Sequence, residues 1–154
     1  MCVMSVHVTP KGTRGTKMPS GPVVGAAMVV VTGLYRLLGG RGMGKTGIVT
    51  TVGAKTGKQR EAQVAVFAER DGWLVVGSKG GSATHPAWFV NMARNPDKVW
   101  MQVGRRRVRV APESLTGAAR DAAWKRIVSE APNFGSYEQK TDREIPVIHL
   151  TPIR

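Results

Sequence analysis

Apolar residues along this 154-residue chain fall mostly in short runs rather than long amphipathic stripes. Thr46 to Val52, Gln59 to Glu69 and Trp73 to Ser78 have the length and β-branched content of strands. Asp71-Gly72, between the last two, predicts a tight hairpin. From Ala62 to Phe67 apolar residues occupy both parities, which predicts a strand covered on both faces. Two further strands, Lys98 to Val103 and Arg105 to Ala111, turn at Gly104. In the second, Arg105, Arg107 and Arg109 share one face, which predicts that this face is solvated. Glu144 to Thr151 is a last strand, stopped by Pro152.

Helical signals are fewer. Pro22 to Leu38 is an apolar run whose one charge is Arg36. It is short for a membrane span, and Gly25 and Gly33 weaken it further. It reads either as a helix packed on the core or over a cavity, or as a helix lying on anionic lipid. No small-x-small cleavage pattern follows Val31, so a secretory signal is not indicated. Ala87 to Arg94 predicts a helix with Pro86 in its first turn and Asn95-Pro96 as its stop. Thr116 stands where it could cap a helix from Gly117 to about Ala131, with Ala123, Trp124, Ile127 and Val128 on one stripe. Pro132 to Tyr137 reads as the break after it.

About six strands in succession, with two or three helices, predict a mainly β, α+β domain. A closed or split β-barrel with appended helices fits better than a doubly wound sheet, because strands and helices do not alternate. Residues 1–20 read as a mobile basic tail, 21–45 as the apolar helix with a glycine-rich linker, and 46–154 as the barrel domain.

Charge sharpens this picture. The formal net charge is +13, and no acidic residue precedes Glu61, whereas nine Lys and Arg do. Such a balance points to a polyanionic ligand or an anionic membrane surface. No helix-turn-helix or RNA-recognition pattern is present, and aromatics are not interleaved with the basic runs, which argues against nucleic acid. The single Cys2 can form no internal disulfide, and a reducing cytoplasm is the simple expectation. His7, His85 and His149 have no zinc spacing, so no metal site is expected.

The candidate chemistry centres on Gly53-Ala54-Lys55-Thr56-Gly57-Lys58-Gln59-Arg60, a glycine-bounded basic turn between two strands. Its amides and cations suit a phosphate or carboxylate. It is not a P-loop: only three residues separate its glycines, Gln59 follows Lys58, and a strand follows instead of a helix. A second basic glycine loop, Gly77-Ser78-Lys79-Gly80-Gly81-Ser82, follows a strand expected to pair with the first. Converging, the two would form a groove for an extended anionic small molecule. Trp88 and Asn91, one helical turn apart, share a face, on which Trp88 fits a core position or a stacking one. Tyr137 is a potential proton donor. Nothing resembles a Ser-His-Asp set or a catalytic carboxylate pair, so any redox chemistry would come from a bound cofactor.

Four blocks carry a resemblance. Thr50 to Arg60, Gly77 to Gly81, His85-Pro86-Ala87-Trp88-Phe89-Val90-Asn91-Met92-Ala93-Arg94-Asn95-Pro96, and Tyr137 to Val147 together resemble the deazaflavin-dependent nitroreductase family, in order and over about residues 46–152. The resemblance implies a split β-barrel related to FMN-binding proteins. It also implies coenzyme F420, an 8-hydroxy-5-deazaflavin with an acidic tail, with FMN as the alternative cofactor. By the same likeness Lys55, Thr56, Gly57 and Arg60 would hold the phosphate and tail. Ser78, Lys79, Gly80 and Gly81 would line the ring, Trp88 would wall the pocket, and Asn91 would orient the cofactor. Tyr137 and Ser78 are the candidates for handling the proton. The implied activity is hydride transfer from reduced F420 to a quinone or another electron-poor acceptor, nitro compounds included. The alternative is a non-catalytic barrel that binds a fatty acid, flavin or other hydrophobic or anionic ligand. The implied location is cytoplasmic, with 22–38 either covering the substrate pocket or touching the inner face of the membrane. Position 54 is Ala where the family commonly has a basic residue, and Phe134 replaces an expected tyrosine.

Overall fold

The structure, a computed structural model, describes residues 6–17, 21–40 and 45–153. Strands β1 (Thr46–Val52), β2 (Gln59–Glu69), β3 (Gly72–Val76), β4 (Trp100–Val103), β5 (Arg106–Ser114) and β6 (Val147–Pro152) close an antiparallel barrel in the order β1-β2-β3-β6-β5-β4. Helices α1 (Pro22–Leu38), α2 (Ala87–Arg94), α3 (Gly117–Glu130) and α4 (Asn133–Lys140) are attached to it.

Alternation along the strands sends side chains to two cores. Val64 and Val66 of β2, Val75 of β3, Met101 of β4, and Ile148 and Leu150 of β6 fill the barrel with Phe89 and Met92 from α2. Phe67, Leu74, Val76 and Val147, on the opposite faces, pack under Trp124 and Ile127 of α3 and Phe134 of α4. This is why Val64 to Phe67 of β2, and β3, show no polar alternation: both their faces are covered, whereas Gln59 to Glu61 at the start of β2 are exposed.

Two local expectations shift. Glu69 pairs with Gly72, so the hairpin loop is Arg70-Asp71 and Gly72 already belongs to β3. The reason is steric: Gly72 has φ 152, and a Cβ there would come within 2.0 Å of the Leu150 carbonyl oxygen. The predicted break at Pro132–Tyr137 is instead the start of α4, so Tyr137 sits on a helix and not in a loop. Proline is compatible with a helix start. Tertiary contacts secure the helix, with Phe134 edge-on to Phe67 at 5.8 Å and the Trp124 indole N–H donating to Glu138 Oε2 at 2.8 Å. Thr116 does precede α3, but its side chain makes no capping hydrogen bond.

Of the stretch 1–20 expected as a basic tail, residues 6–17 form a strap across the loop before α2; the rest of it lies outside the described residues. Gly12 and Thr16 donate backbone N–H groups to the Ala83 and Gly81 carbonyls at 2.8 and 3.0 Å. Asp142 accepts from the Thr13 hydroxyl and from the Thr13 and Arg14 amides, which hold its pKa down to about 2. Thr141 Oγ1 donates to the Arg14 carbonyl at 2.8 Å. His85 Nε2–H donates to the Thr9 carbonyl at 2.6 Å while Nδ1 accepts from Arg143 at 2.9 Å, which requires a neutral ring. Burial pushes the His85 pKa below its ordinary 6.5, the Thr9 hydrogen bond opposes this, and the Arg143 charge adds to the depression. Gly15 completes the strap: a Cβ there would lie 2.3 Å from the Ala83 amide nitrogen.

Helix α1 turns its polar residues inward. Tyr35, 1 % exposed, donates its hydroxyl to the Thr46 carbonyl and accepts from the Gly104 N–H, both at 2.8 Å. Thr32 is buried, and Arg36 pairs with Glu61 of β2. Val23, Val29, Val30 and Leu37 are exposed to between 69 % and 83 %. The helix is therefore not packed on the core by its apolar side. No described helix is long and apolar enough to cross a membrane. The linker expected at 41–44 lies outside the described residues.

Phe89→Ala, which removes a fully buried ring from the barrel, is expected to destabilise the protein by about 3–5 kcal/mol in chemical denaturation. Leu37→Ala should change stability by no more than about 0.5 kcal/mol. Because the folded-state pKa of His85 is depressed, its stabilising contribution is present above pH 6.5 and is lost as pH falls through the folded value. Thermal melting should therefore drop between pH 7.5 and pH 5.5, and drop less in His85→Gln.

Candidate active site

The turn between β1 and β2 is held from α2. Asn91 Oδ1 accepts the Ala54 N–H at 3.0 Å, and Asn91 Nδ2 donates to Thr51 Oγ1 at 3.4 Å. One turn later, Asn95 Nδ2 donates to the Val52 carbonyl at 3.2 Å. Gly53 and Gly57 close the turn on themselves, with Gly57 N–H donating to the Gly53 carbonyl at 2.9 Å. Asn91 thus secures the end of β1 as well as facing the cleft beside it.

That cleft has a volume of about 770 Å³. Ala54, Lys55, Thr56 and Arg60 line it from the basic turn, Lys79 from the second loop, and Trp88 and Asn91 from α2. Val24 and Met28 of α1 form its outer edge. Its one acid, Glu61, is paired with Arg36, whereas neither Lys55 nor Arg60 has a carboxylate partner among the described residues. An anion entering here meets uncompensated positive charge.

A second cleft of about 620 Å³ lies beyond Trp88. Ser78, Lys79 and Gly80 form one side, Phe134 and Tyr137 of α4 another, and Val64, Ala65 and Phe67 of β2 its base. Lys79, Pro86 and Trp88 line both clefts, so the two basic loops converge at this junction. The Tyr137 hydroxyl accepts from Asn133 Nδ2 at 3.2 Å, and its own proton has no partner among the described residues. Two expected contributors are elsewhere. Gly57 lines neither cleft, and Gly81 is pressed against α4, where a Cβ would meet the Tyr137 carbonyl oxygen at 2.8 Å.

The loop at the junction is strained. Lys79, Gly80 and Gly81 have φ of 44, 62 and 83, a left-handed succession in which Lys79 is the one non-glycine. Arg143, 4 % exposed, supports it from behind. Its guanidinium donates to the carbonyls of Gly77 (3.0 Å), Ser78 (2.8 Å) and Ser82 (3.0 Å), and to His85 Nδ1. Burial lowers its pKa from the ordinary arginine value, yet the group stays charged. Pattern reasoning reached the sequence block containing Arg143 but assigned it no role; the signal was a lone arginine in an otherwise acidic and apolar stretch, Asp142 to Val147. No group of three or more His, Cys, Asp or Glu side chains is gathered among the described residues.

Comparison with known proteins shows the family and the fold type. The sequence model of the F420H(2)-dependent quinone reductase family matches residues 28–152. An F420H(2)-dependent quinone reductase of Mycobacterium tuberculosis (strain H37Rv) is 36% identical over 108 residues, which cover 68% of this chain and 71% of that protein. A solved F420-H2 dependent reductase, FDR-A, superposes with a TM-score of 0.63 at 35% identity, covering 70% of this chain and 94% of its own. HutZ of Vibrio cholerae, described as a haem storage protein, is 10% identical and shares the fold alone, with a TM-score of 0.53 over 82% of this chain and 91% of its own. The barrel is thus of the split, FMN-binding-like type, and the chain belongs to the F420H(2)-dependent quinone reductase family.

Proposed function

We propose that this protein transfers a hydride from reduced coenzyme F420 to a quinone. The observation that carries this reading is the pair of clefts meeting at Lys79 and Trp88, one with Lys55 and Arg60 on a largely apolar lining, the other with Phe67, Phe134 and Tyr137 among mixed polar and apolar residues. The residues fit the cofactor: an acidic tail needs cations without carboxylate partners, which Lys55 and Arg60 supply, and a flat ring needs a wall, which Trp88 supplies. Lys55, Thr56 and Arg60 would hold the phosphate and tail, while Ser78, Lys79 and Gly80 border the ring. Gly57 would act by letting the turn close, since it has φ 70. Asn91 would act by holding the Ala54 amide and the end of β1. When bound, reduced F420 supplies the hydride.

The chain's own part is binding, orientation and the proton. Two-electron reduction of a quinone consumes one hydride and one proton, giving the hydroquinone. The Tyr137 hydroxyl, oriented by Asn133, and the Ser78 hydroxyl border the cleft where the acceptor would lie, and they are the groups that would deliver the proton. Phe134 and Phe67 give the cleft apolar surface for an aromatic acceptor. Electron-poor nitro compounds would fit the same surface as secondary acceptors.

Purified protein should bind F420 more tightly than FMN and oxidise reduced F420 when menadione is added. Lys55→Ala and Arg60→Ala should each raise the F420 dissociation constant about tenfold or more, with melting temperature nearly unchanged, as expected for loss of a charge-assisted hydrogen bond. Tyr137→Phe should lower kcat more than it raises KM. Absence of F420 binding in the parent would overturn the reading.

The exposed apolar face of α1 extends it. We also infer that α1 lies on the anionic inner face of the membrane, where hydrophobic quinones partition, in an otherwise cytoplasmic protein. Supporting this are the exposed Val23, Val29, Val30 and Leu37 on a chain of net charge +13. The protein should co-float with vesicles containing phosphatidylglycerol and not with pure phosphatidylcholine, and Val29→Glu with Val30→Glu should abolish flotation. Equal recovery with both vesicle types, or none with either, would refute it.

A further inference from the structure

Arg143 touches neither cleft, yet the loop shared by the clefts is built around it. Three backbone carbonyls, of Gly77, Ser78 and Ser82, converge on its guanidinium. Carbonyl oxygens gathered at one point repel one another unless a cation with several directed donors lies between them. Arginine's planar fork supplies these directions at once, through Nε to Ser82, Nη1 to Gly77 and Nη2 to Ser78. The ammonium of a lysine, a single point of charge, cannot reproduce them.

Turning these carbonyls inward has a consequence on the cleft side. Ser78 is right-handed (φ −75, ψ −38) and Lys79 and Gly80 are left-handed, the succession that leaves consecutive amides pointing into one concavity. The amides of Gly81 and Ser82 are used within the loop, donating to the Ser78 and Lys79 carbonyls at 2.9 and 3.1 Å. The amides of Ser78, Lys79 and Gly80 have no partner among the described residues, and these three residues line the cleft. Lys79 also keeps its ammonium near the loop through Thr84 Oγ1, at 3.1 Å. A second tie comes from Thr141 Oγ1, which accepts the Arg143 N–H at 3.1 Å and donates to the Arg14 carbonyl of the strap.

We propose that Arg143 is a positioning residue for hydride transfer: it holds loop 77–82 so that the amides of Ser78, Lys79 and Gly80 receive a conjugated carbonyl oxygen that gains negative charge in the reaction. This rests on the reading that the two clefts take the deazaflavin and its acceptor. The oxygen belongs to the cofactor ring or to the quinone; the chemistry is the same, and the test separates them.

The test uses the full chain with Arg143→Lys, which keeps the charge, and Arg143→Gln as a second variant should the first not fold. Hydrogen exchange in the cofactor-free protein should be at least tenfold faster at the Gly81 and Ser82 amides, with the barrel strands still protected. Dissociation constants are then measured for F420 and for its ring fragment lacking the phosphate and tail. Both should weaken by about the same factor, on the order of tenfold, if the oxygen is the cofactor's, whereas Lys55→Ala weakens F420 alone. If the oxygen is the acceptor's, KM for menadione rises with cofactor affinity unchanged. Asp142→Asn loosens the strap without removing an Arg143 contact and should leave these constants unaltered at a comparable loss of melting temperature. Unchanged exchange, or faster exchange with every constant unchanged, would overturn the proposal, as would equal losses in Asp142→Asn. Parent protein that bound neither ring form, with exchange still raised in the variant, would refute the cofactor reading and the ligand half of the proposal while leaving Arg143 as the organiser of the loop.

Discussion

A guanidinium inside a protein is stable only where its donors are met, and meeting those of Arg143 dictates the path of the chain between β3 and α2. The carbonyls of Gly77, Ser78 and Ser82 turn onto it, which forces the left-handed backbone at Lys79, Gly80 and Gly81. The cost of that strained turn is offset by charge-assisted hydrogen bonds in a buried setting, where they are stronger than on the surface. His85 joins the same cluster as a neutral acceptor, and through it Thr9 of the strap is tied to the loop. The segment that lines both clefts is therefore secured from the side facing away from them.

The barrel provides the rigid surroundings. Because β3 and the Val64–Phe67 part of β2 are covered on both faces, the region around Ser78 lies between two packed cores, one inside the barrel with α2 and one outside with α3 and α4. Trp88 and Phe89 show the division of labour on α2. Both belong to the barrel core, but Phe89 is fully sealed in it, while Trp88, one residue earlier and 9 % exposed, also lines the basic cleft and the one lined by Tyr137. Both clefts are thus fixed to one short helix and one braced loop.

Helix α1 follows a different logic. A helix joined to its barrel through Tyr35, Thr32 and Arg36, with valines and leucines outward, reverses the usual amphipathic arrangement of a surface helix. Its inner edge, Val24 and Met28, borders the basic cleft.

Much was legible in the chain itself. Strand positions, the α2 boundaries set by Pro86 and Pro96, and the two basic glycine loops are local patterns, and local sterics and periodicity decide them. The four blocks at their spacing carried the family, and with it the cofactor. Tertiary structure decided the rest, because each point depended on partners distant in sequence. Asn133 to Lys140 is helical because Phe134 finds Phe67 and Glu138 finds Trp124. Residues 6–17 are held because Asp142 and Ala83 lie beneath them. Gly72 moved the hairpin by one residue because Leu150 of β6 leaves no room for a side chain. The role of Arg143 was out of reach of periodicity for the same reason: hydrogen bonds to carbonyls some 60 residues away leave no spacing to read, and only folding brings the donor and its acceptors together.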